Sequence, residues 1–265
     1  MKKPQSISIF FTFFSLFVFA CLACSNDDDT IAGNNGDEGT ITSTDYDISP
    51  ILTKFNAAGL SYEISGNNVI FTTNNLPDHK SPYYLDTEWE TELYEPYTGS
   101  NTNFTLNPNR IAEQNITITV PIHPAEATTK EATALGAMGI AINGVVFYNQ
   151  YAGPNNQPLT SEINSFDQYL GHPQQQGGYH YHQEPKYLTS KFGEDTFLGI
   201  LADGFPVYGP IENGEEVSNA DLDEYHGHTS ATTDFPNGIY HYHITSEDPY
   251  INGNGFFGTP GNITN

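Results

Sequence analysis

The sequence predicts a mainly β fold, a sandwich- or barrel-like domain with an internal pseudo-two-fold duplication and a few short helices. Short apolar runs recur from residue 46 onward, among them residues 69–72, 116–122 and 197–202, and clusters of Gly, Pro and Asn separate them. Runs of this length between turn residues are typical of β-strands. The pattern contains no long amphipathic stretch that would favour a helical fold instead.

The composition fits a globular domain rich in turns and aromatic residues. The chain of 265 residues has 17 Tyr, 17 Phe, 24 Gly and 17 Pro, which a disordered acidic segment would lack. Its 32 Asp and Glu residues against 8 Lys and Arg give a formal net charge of −24. Because such a surface repels phosphate backbones, the composition excludes a nucleic-acid-binding protein.

The N-terminal segment has the features of a lipoprotein signal. Two Lys residues precede an apolar run at residues 7–20, which is shorter than the ~20 apolar residues that a membrane-spanning helix needs. The next residues, 21–29, contain Ser-Asn-Asp-Asp-Asp after a cysteine and resemble the lipidation and surface-export signal of Bacteroidetes lipoproteins. We therefore expect Cys24 to carry lipid, with Cys21 as the alternative, and to hold the protein in the outer membrane facing the cell exterior.

Three segments follow from this interpretation. Residues 1–23 are the signal peptide, and residues 24–44, which are Asp, Asn, Gly and Thr with almost no apolar residue, are a flexible acidic tether. Residues 45–265 form a single β domain. Its repeat halves lie at about residues 135–185 and 195–250.

Three blocks of sequence occur twice in the same order, which predicts two copies of one supersecondary unit. The first block has Asn-Gly in one copy and Asp-Gly in the other, between β-prone residues. That pair is a strong signal for a β-hairpin with a type I′ turn. The matched blocks are residues 139–148 and 199–208, residues 167–172 and 223–228, and residues 178–182 and 239–243.

Histidine usage follows the duplication. Side chains alternate between the faces of a strand, so the two histidines of each Tyr-His-Tyr-His run point the same way and form a two-imidazole chelate. A third His from the preceding Gly-His dipeptide could complete three ligands per repeat, or the two pairs could form one four-His site. The second repeat has more candidate ligands, which favours it if only one site functions. The candidate metal ligands are His172, His180, His182, His226, His228, His241 and His243.

The available ligand types restrict the metal. Without the signal peptide, the chain has one methionine, Met138, and no free thiol if Cys24 is lipidated, so the soft ligands of Cu(I) and of iron–sulfur clusters are missing. Imidazole suits a divalent transition metal, and we expect Zn or Cu(II). Asp203, Glu184 and Glu224 are candidate second-shell groups or bases if a metal-bound water reacts.

Three functions are compatible with these features. The first is a lipid-anchored cell-surface protein whose duplicated His-x-His cluster binds a divalent transition metal. The second is a His-ligated, metal-dependent hydrolase or oxidase. The third is a metal-free adhesion or glycan-binding module, in which the imidazoles belong to a polar network with carbonyls and carboxylates. The expected partners are the membrane, through the lipid, and a metal ion or an extracellular glycan.

The paired Tyr-His-Tyr-His runs, together with Asp-Gly-Phe-Pro-Val-Tyr-Gly-Pro at residues 203–210, resemble the YHYH domain family of mostly secreted proteins. Residues 75–82 and 107–114 are similar to further parts of that pattern, so the resemblance covers roughly residues 65–265. It implies a single domain without a boundary near residue 120, but no activity. It also makes His79 a further candidate for the site.

One block departs from the family pattern. Family members often have Cys in the block where this chain has Tyr169 and Tyr225, so the resemblance implies no disulfide here. His123, which lies between two prolines in the sequence Pro-Ile-His-Pro, is expected to be a loop residue.

Overall fold

The structure, a computed structural model, describes residues 46–265. The expected signal peptide, the lipidated Cys24 and the acidic tether lie outside the described residues. None of the helices in the described part of the chain combines the length and the hydrophobicity of a membrane span.

The secondary structure is mainly β with a few short helices, as the sequence predicts. Most strands have only two to six residues, because Gly, Pro and Asn interrupt each apolar run. The strands are β1 (Leu60–Ser65), β2 (Asn68–Thr73), β3 (Ile116–Pro121), β4 (Ala137–Ala141), β5 (Val146–Tyr148), β6 (Tyr151–Ala152), β7 (Gln157–Pro158), β8 (Gly171–Pro173), β9 (Tyr179–Tyr181), β10 (Phe197–Leu201), β11 (Pro206–Tyr208), β12 (Ile211–Glu212), β13 (Glu215–Glu216), β14 (Gly227–Ser230), β15 (Ile239–His243) and β16 (Ile263–Thr264). The α-helices are α1 (Glu90–Leu93) and α2 (Lys186–Phe192), and 3₁₀ turns span Ser49–Lys54, Pro82–Tyr84, Glu162–Ser165 and Asn219–Asp221.

The duplication forms one continuous sheet of eight strands in the order β14-β15-β11-β10-β4-β5-β9-β8. Counted inward from each end of the sheet, equivalent strands of the two repeats occupy equivalent positions. The equivalent pairs are β8 and β14, β9 and β15, β5 and β11, and β4 and β10. The two halves meet where β4 and β10 pair antiparallel, with Ile140 opposite Ile200. Since these two residues are themselves equivalent in the repeat, the pseudo-two-fold axis passes between them.

A second sheet, in the order β1-β2-β3-β16, shares its core with the eight-stranded sheet. Phe71 and Ile118 of the smaller sheet are fully buried in the same cluster as Ile140 and Ile200. The Thr73 hydroxyl also donates to the Gly144 carbonyl across the two sheets at 2.7 Å. The fold is therefore sandwich-like, which is one of the two arrangements expected from the sequence. Two small hairpins, β6-β7 and β12-β13, follow β5 and β11 at equivalent places.

The hairpin turns differ from the expected type. Gly144 and Gly204 have φ values of +85° and +86°, but Asn143 and Asp203 are not among the described residues with positive φ. A type I′ turn needs positive φ at both positions, so that expectation is wrong. Asn143 and Asp203 instead accept a hydrogen bond from the backbone N–H two residues on, at 3.4 Å and 3.2 Å. This local bond is the usual reason for Asn or Asp in a turn.

The Tyr-His-Tyr-His strands are buried on both faces. Their tyrosines belong to the main core, and each hydroxyl has a polar partner at the same place in both repeats. The histidines project from the opposite face, as strand alternation requires. The tyrosine partners are Asp167 for Tyr179 at 2.9 Å, Asn143 for Tyr181 at 3.2 Å, Asp223 for Tyr240 at 3.0 Å and Asp203 for Tyr242 at 2.6 Å.

The close approach of β4 and β10 predicts that an added methyl group at their junction destabilises the fold. A Cβ at Gly199 would overlap the carbonyl oxygen of Ile140, which is fixed in the sheet. We expect Gly199→Ala to lower the free energy of unfolding by about 1–3 kcal/mol, the usual cost of overpacking, measured by urea unfolding. Gly178→Ala is the control, because its nearest neighbour is the flexible end of Gln174 at 3.2 Å. Equal stability of Gly199→Ala and wild type would contradict the described pairing.

Candidate metal centres

The first histidine cluster consists of His172, His180 and His182. His172 of β8 lies directly opposite His180 of β9 in the antiparallel pair, and His182 follows two residues later on the same face. The Nε2 atoms of His172 and His180 are 3.1 Å apart, and those of His180 and His182 are 3.0 Å apart. Three side chains are therefore directed at one point.

Hydrogen bonds at the other ring nitrogens determine the tautomers of this cluster. Nδ1 of His180 contacts the Gly178 carbonyl at 3.1 Å, and Nδ1 of His182 contacts the Asn149 carbonyl at 2.6 Å. A carbonyl oxygen only accepts, so both Nδ1 atoms carry the proton. The Nε2 atom of each neutral ring then has an unprotonated lone pair.

His172 has the same tautomer for a different reason. Its Nδ1 lies 2.7 Å from Oγ of Ser165. That hydroxyl already donates its one proton to the Glu162 carbonyl at 2.7 Å, so it accepts from His172. All three Nε2 atoms of the cluster consequently present lone pairs to one another.

Burial keeps these rings neutral. It lowers the pKa of His172 to about 3, with a smaller contribution from His182, and lowers the pKa of His182 to about 4. The pKa of His180 is also well below its ordinary value, through burial and then through its two histidine neighbours. At neutral pH the cluster is thus a set of three uncharged nitrogen donors, the form in which imidazole binds metals.

The second cluster repeats this geometry. Nε2 of His241 and Nε2 of His243 are 3.1 Å apart, and their Nδ1 atoms donate to the carbonyls of Ile239 and Gly209 at 2.9 Å and 2.8 Å. His228 of β14 lies opposite His241. Within the described residues, the buried Nε2 atom of His228 has no hydrogen-bond partner. Each repeat therefore builds its own three-histidine group, and the two pairs do not combine into one four-His site.

Glu212 adds a carboxylate to the second cluster. Its oxygens lie 3.4 Å from Nε2 of His228 and 3.6 Å from Nε2 of His241. The Ser230 hydroxyl donates to this carboxylate. Partial burial raises the pKa of Glu212, but the Ser230 hydrogen bond and the neighbouring imidazoles outweigh it, and the net pKa is lowered. Both this group and the first cluster could hold a metal ion by their geometry.

Glu212 was not predicted from the sequence, since it lies in a two-residue strand, 16 residues before His228. The repeat alignment does contain one signal for Glu212. The second copy has this acidic residue where the first copy has the apolar Ala152. Ser165 and Asn149 were missed as well, because their contacts with the histidines depend on tertiary folding.

Four of the predicted site residues lie elsewhere. His226 is not part of either cluster, and its Nε2 atom contacts the Thr245 hydroxyl at 3.0 Å. Asp203 is on the tyrosine face of the sheet, bonded to Tyr242. Glu184 pairs with Lys186 and Thr189 at 2.6 Å and 2.5 Å, and Glu224 bonds Asn254 at 3.3 Å.

His79 is also on the tyrosine face, with Nε2 3.1 Å from the Tyr181 hydroxyl. His123 is exposed and bonds the Tyr46 carbonyl at 2.9 Å.

A cleft lies in front of each cluster. The cleft of the first repeat has a volume of about 1140 Å³ and is lined by His172, His180 and His182. The cleft of the second repeat has a volume of about 430 Å³ and is lined by Glu212, His241 and His243. Molecules from solvent can therefore approach both histidine groups.

The fold and these two groups define a mainly β protein with a duplicated, histidine-centred unit. The sequence matches the family described as YHYH protein over residues 117–218 and 211–255, and the chain belongs to this family. One matched segment contains the Tyr-His-Tyr-His run of the first repeat and the other contains that of the second. Comparisons with curated proteins and with solved structures give no match.

The buried Asp203 predicts a pH-dependent stability. Burial raises its pKa to about 6 from 3.8, although hydrogen bonds from Tyr242 and from three backbone N–H groups oppose this. Between about pH 4 and pH 6 the folded state then holds a proton that the unfolded state has lost, so this contribution to stability falls as pH rises.

We expect Asp203→Asn, which places the residue of the first repeat in the second, to remove that contribution. The difference in unfolding free energy between wild type and variant should fall by about 2 kcal/mol from pH 4 to pH 7. Urea unfolding of both proteins at several pH values measures it. Parallel pH profiles would show that Asp203 is not the group responsible.

Proposed function

We propose that this protein binds two divalent transition-metal ions, one at each three-histidine cluster, with Zn or Cu(II) as the metal. Imidazole nitrogens are the preferred ligands of both ions. The proposal is supported by the burial of five of the six histidines, by the lowered pKa values of those five imidazoles and by the match between the two clusters. The five are His172, His180, His182, His241 and His243.

The observation that carries the proposal is the convergence of unprotonated Nε2 atoms. Two lone pairs at 3.0–3.1 Å repel each other unless a cation lies between them. Two nitrogens bound to one zinc ion at about 2.05 Å are about 2.9 Å apart at a right angle and about 3.3 Å apart at the tetrahedral angle. The observed separations fall within that range.

The second ring nitrogens support the same proposal. In metal sites the ligating histidine usually donates its other N–H to a carbonyl or a carboxylate, which orients the ring and raises its basicity. Four of the six histidines donate Nδ1–H to a backbone carbonyl, and His172 donates to Ser165. A metal-free polar network explains these five bonds, but it leaves the Nε2 atoms facing each other without protons.

Metal analysis of the full-length protein, purified without an affinity His-tag, tests the stoichiometry. We expect close to two metal ions per chain in the wild type, one in His180→Ala, one in His241→Ala and none in the double variant. His180 Nε2 lies 3.0–3.1 Å from both neighbouring Nε2 atoms, and His241 Nε2 lies 3.1 Å from that of His243. Loss of either ligand should weaken binding at its centre enough for dialysis to remove the ion. Elemental mass spectrometry after loading and dialysis provides the measurement.

His123→Ala is the matched control, because His123 is exposed and lies outside both clusters. It should retain two ions. Wild-type protein without metal after loading would refute the proposal. A single ion lost equally in His180→Ala and His241→Ala would instead indicate one shared site.

We further propose that the protein is anchored at the cell surface through lipid on Cys24. This rests on the N-terminal sequence alone, in which Ser-Asn-Asp-Asp-Asp follows the cysteine. Expression of Cys24→Ala and Cys21→Ala with a radioactive fatty acid tests it. Only Cys24→Ala should lose the label and leave the membrane fraction; loss of label in Cys21→Ala alone would assign the lipid to Cys21.

A further inference from the structure

The two metal centres differ in the number of donors that the fold supplies. In the second repeat, Glu212 joins the three histidines, and Ser230 holds its carboxylate in place. The corresponding residue of the first repeat, also the second residue of its small hairpin, is Ala152, which has no donor atom. The second centre therefore has four protein ligands available and the first has three.

Glu162 is the carboxylate nearest to the first centre, but it is placed differently. Its Oε1 lies 3.4 Å from Nε2 of His172. Among the described residues, neither His180 nor His182 forms such a contact with it within 4.0 Å. Glu162 also lines the cleft in front of the three histidines.

The cleft at the centre with fewer donors is the larger of the two. Closed sites with four protein ligands are typical of structural metals, whereas reactive metals keep one position open for water or a ligand. The cleft of about 1140 Å³ lies at the three-ligand centre, and that of about 430 Å³ lies at the four-ligand centre. The segment between β5 and β8 is four residues longer than its counterpart in the second repeat, which supplies additional wall to the larger cleft.

The lining of the larger cleft is polar but almost uncharged. Amide side chains such as Asn107, Gln157 and Gln174 lie beside the hydroxyls of Thr160 and Ser161. Among the described residues that form the lining, Glu162 is the one acidic or basic side chain apart from the three histidines. In a chain with 32 acidic residues, this surface does not select for a cation or an anion.

Two tyrosines complete the lining. Tyr148 stacks on the ring of His180, with centroids 3.9 Å apart, and Tyr151 follows it in the small hairpin. Amides and hydroxyls that donate and accept, next to aromatic rings, are complementary to a molecule with many hydroxyls and nonpolar C–H faces. A carbohydrate has this chemistry.

We propose that the His172, His180 and His182 centre is an open metal site whose free coordination position faces a carbohydrate-binding cleft, and that Glu212 closes the second centre. This inference rests on the proposed binding of two metal ions. It assigns the metal that can bind an external ligand to the first repeat. The larger number of histidines in the second repeat had instead favoured that repeat as the functional site.

Cobalt substitution tests the open position. In the full-length protein, His241→Ala retains the first centre and His180→Ala retains the second. After loading with Co²⁺, we expect azide to shift the visible absorption bands of His241→Ala and of wild type, but not those of His180→Ala.

The outcomes separate the two proposals. Failure of both variants to bind Co²⁺ would overturn the metal-binding function and this inference with it. Co²⁺ binding without an azide response in His241→Ala, or with a response in His180→Ala, would overturn the inference alone.

A pair of glutamate variants tests the difference in donors. Glu212→Gln should weaken Zn²⁺ binding at the second centre at least ten-fold, because it removes a charged ligand. Glu162→Gln should leave Zn²⁺ affinity at the first centre within two-fold of wild type. The reverse result would make Glu162 the fourth ligand and close the first centre.

Binding to a panel of immobilised neutral and acidic oligosaccharides tests the ligand class. The Zn²⁺-loaded protein should bind neutral members, and Tyr151→Ala should weaken this binding at least ten-fold. Asn213→Ala, in the lining of the second cleft, is the matched control and should bind as wild type does. Absence of binding, preference for acidic members, or equal loss in both variants would overturn the assignment of a carbohydrate.

Discussion

The pairing of buried tyrosine hydroxyls determines how the two Tyr-His-Tyr-His strands, β9 and β15, are oriented. Tyr179 and Tyr181 are fully buried, and their hydroxyls are satisfied by Asp167 and Asn143. An unpaired hydroxyl in such a core is costly. A shift of β9 by one residue would exchange the two faces, remove these two hydrogen bonds and place imidazoles in the apolar core. The convergence of the histidines on the opposite face is thus a consequence of where the tyrosines are held.

The duplication provides two copies of this arrangement within one sheet. The antiparallel pair of β4 and β10 joins the copies and directs their histidine strands toward opposite edges. Because each copy supplies its own third histidine and its own carbonyl partners, a change in one centre does not require a change in the other. The two centres do differ at one such position, with Ala152 in the first copy and Glu212 in the second.

Local pattern and internal repetition were sufficient to predict the mainly β fold, the hairpins and the grouping of His180 with His182 and of His241 with His243. The alternation of strand faces carries that information within a few residues. Glu212 and Glu162 were not predictable in this way, since each reaches its histidine from a different element. The prediction of Asp203 as a group near the metal was wrong for a related reason. Asp203 accepts the turn hydrogen bond from Phe205 N–H and bonds Tyr242 on the face of the sheet opposite the histidines. His226 and its counterpart Leu170 both have positive φ, +75° and +62° respectively. The two copies therefore share this backbone conformation whether leucine or histidine occupies the position.

The strands at the two ends of the large sheet, β8 and β14, each contribute one histidine, His172 and His228. Edge strands expose unpaired N–H and C=O groups and can pair with another chain, which leads to aggregation. An ion bound to His172 and to the inner strand β9 would tie the edge to its neighbour, and the same holds for His228 and β15. Metal uptake would then also protect the sheet against self-association, so that the availability of the ion would influence the lifetime of the folded protein.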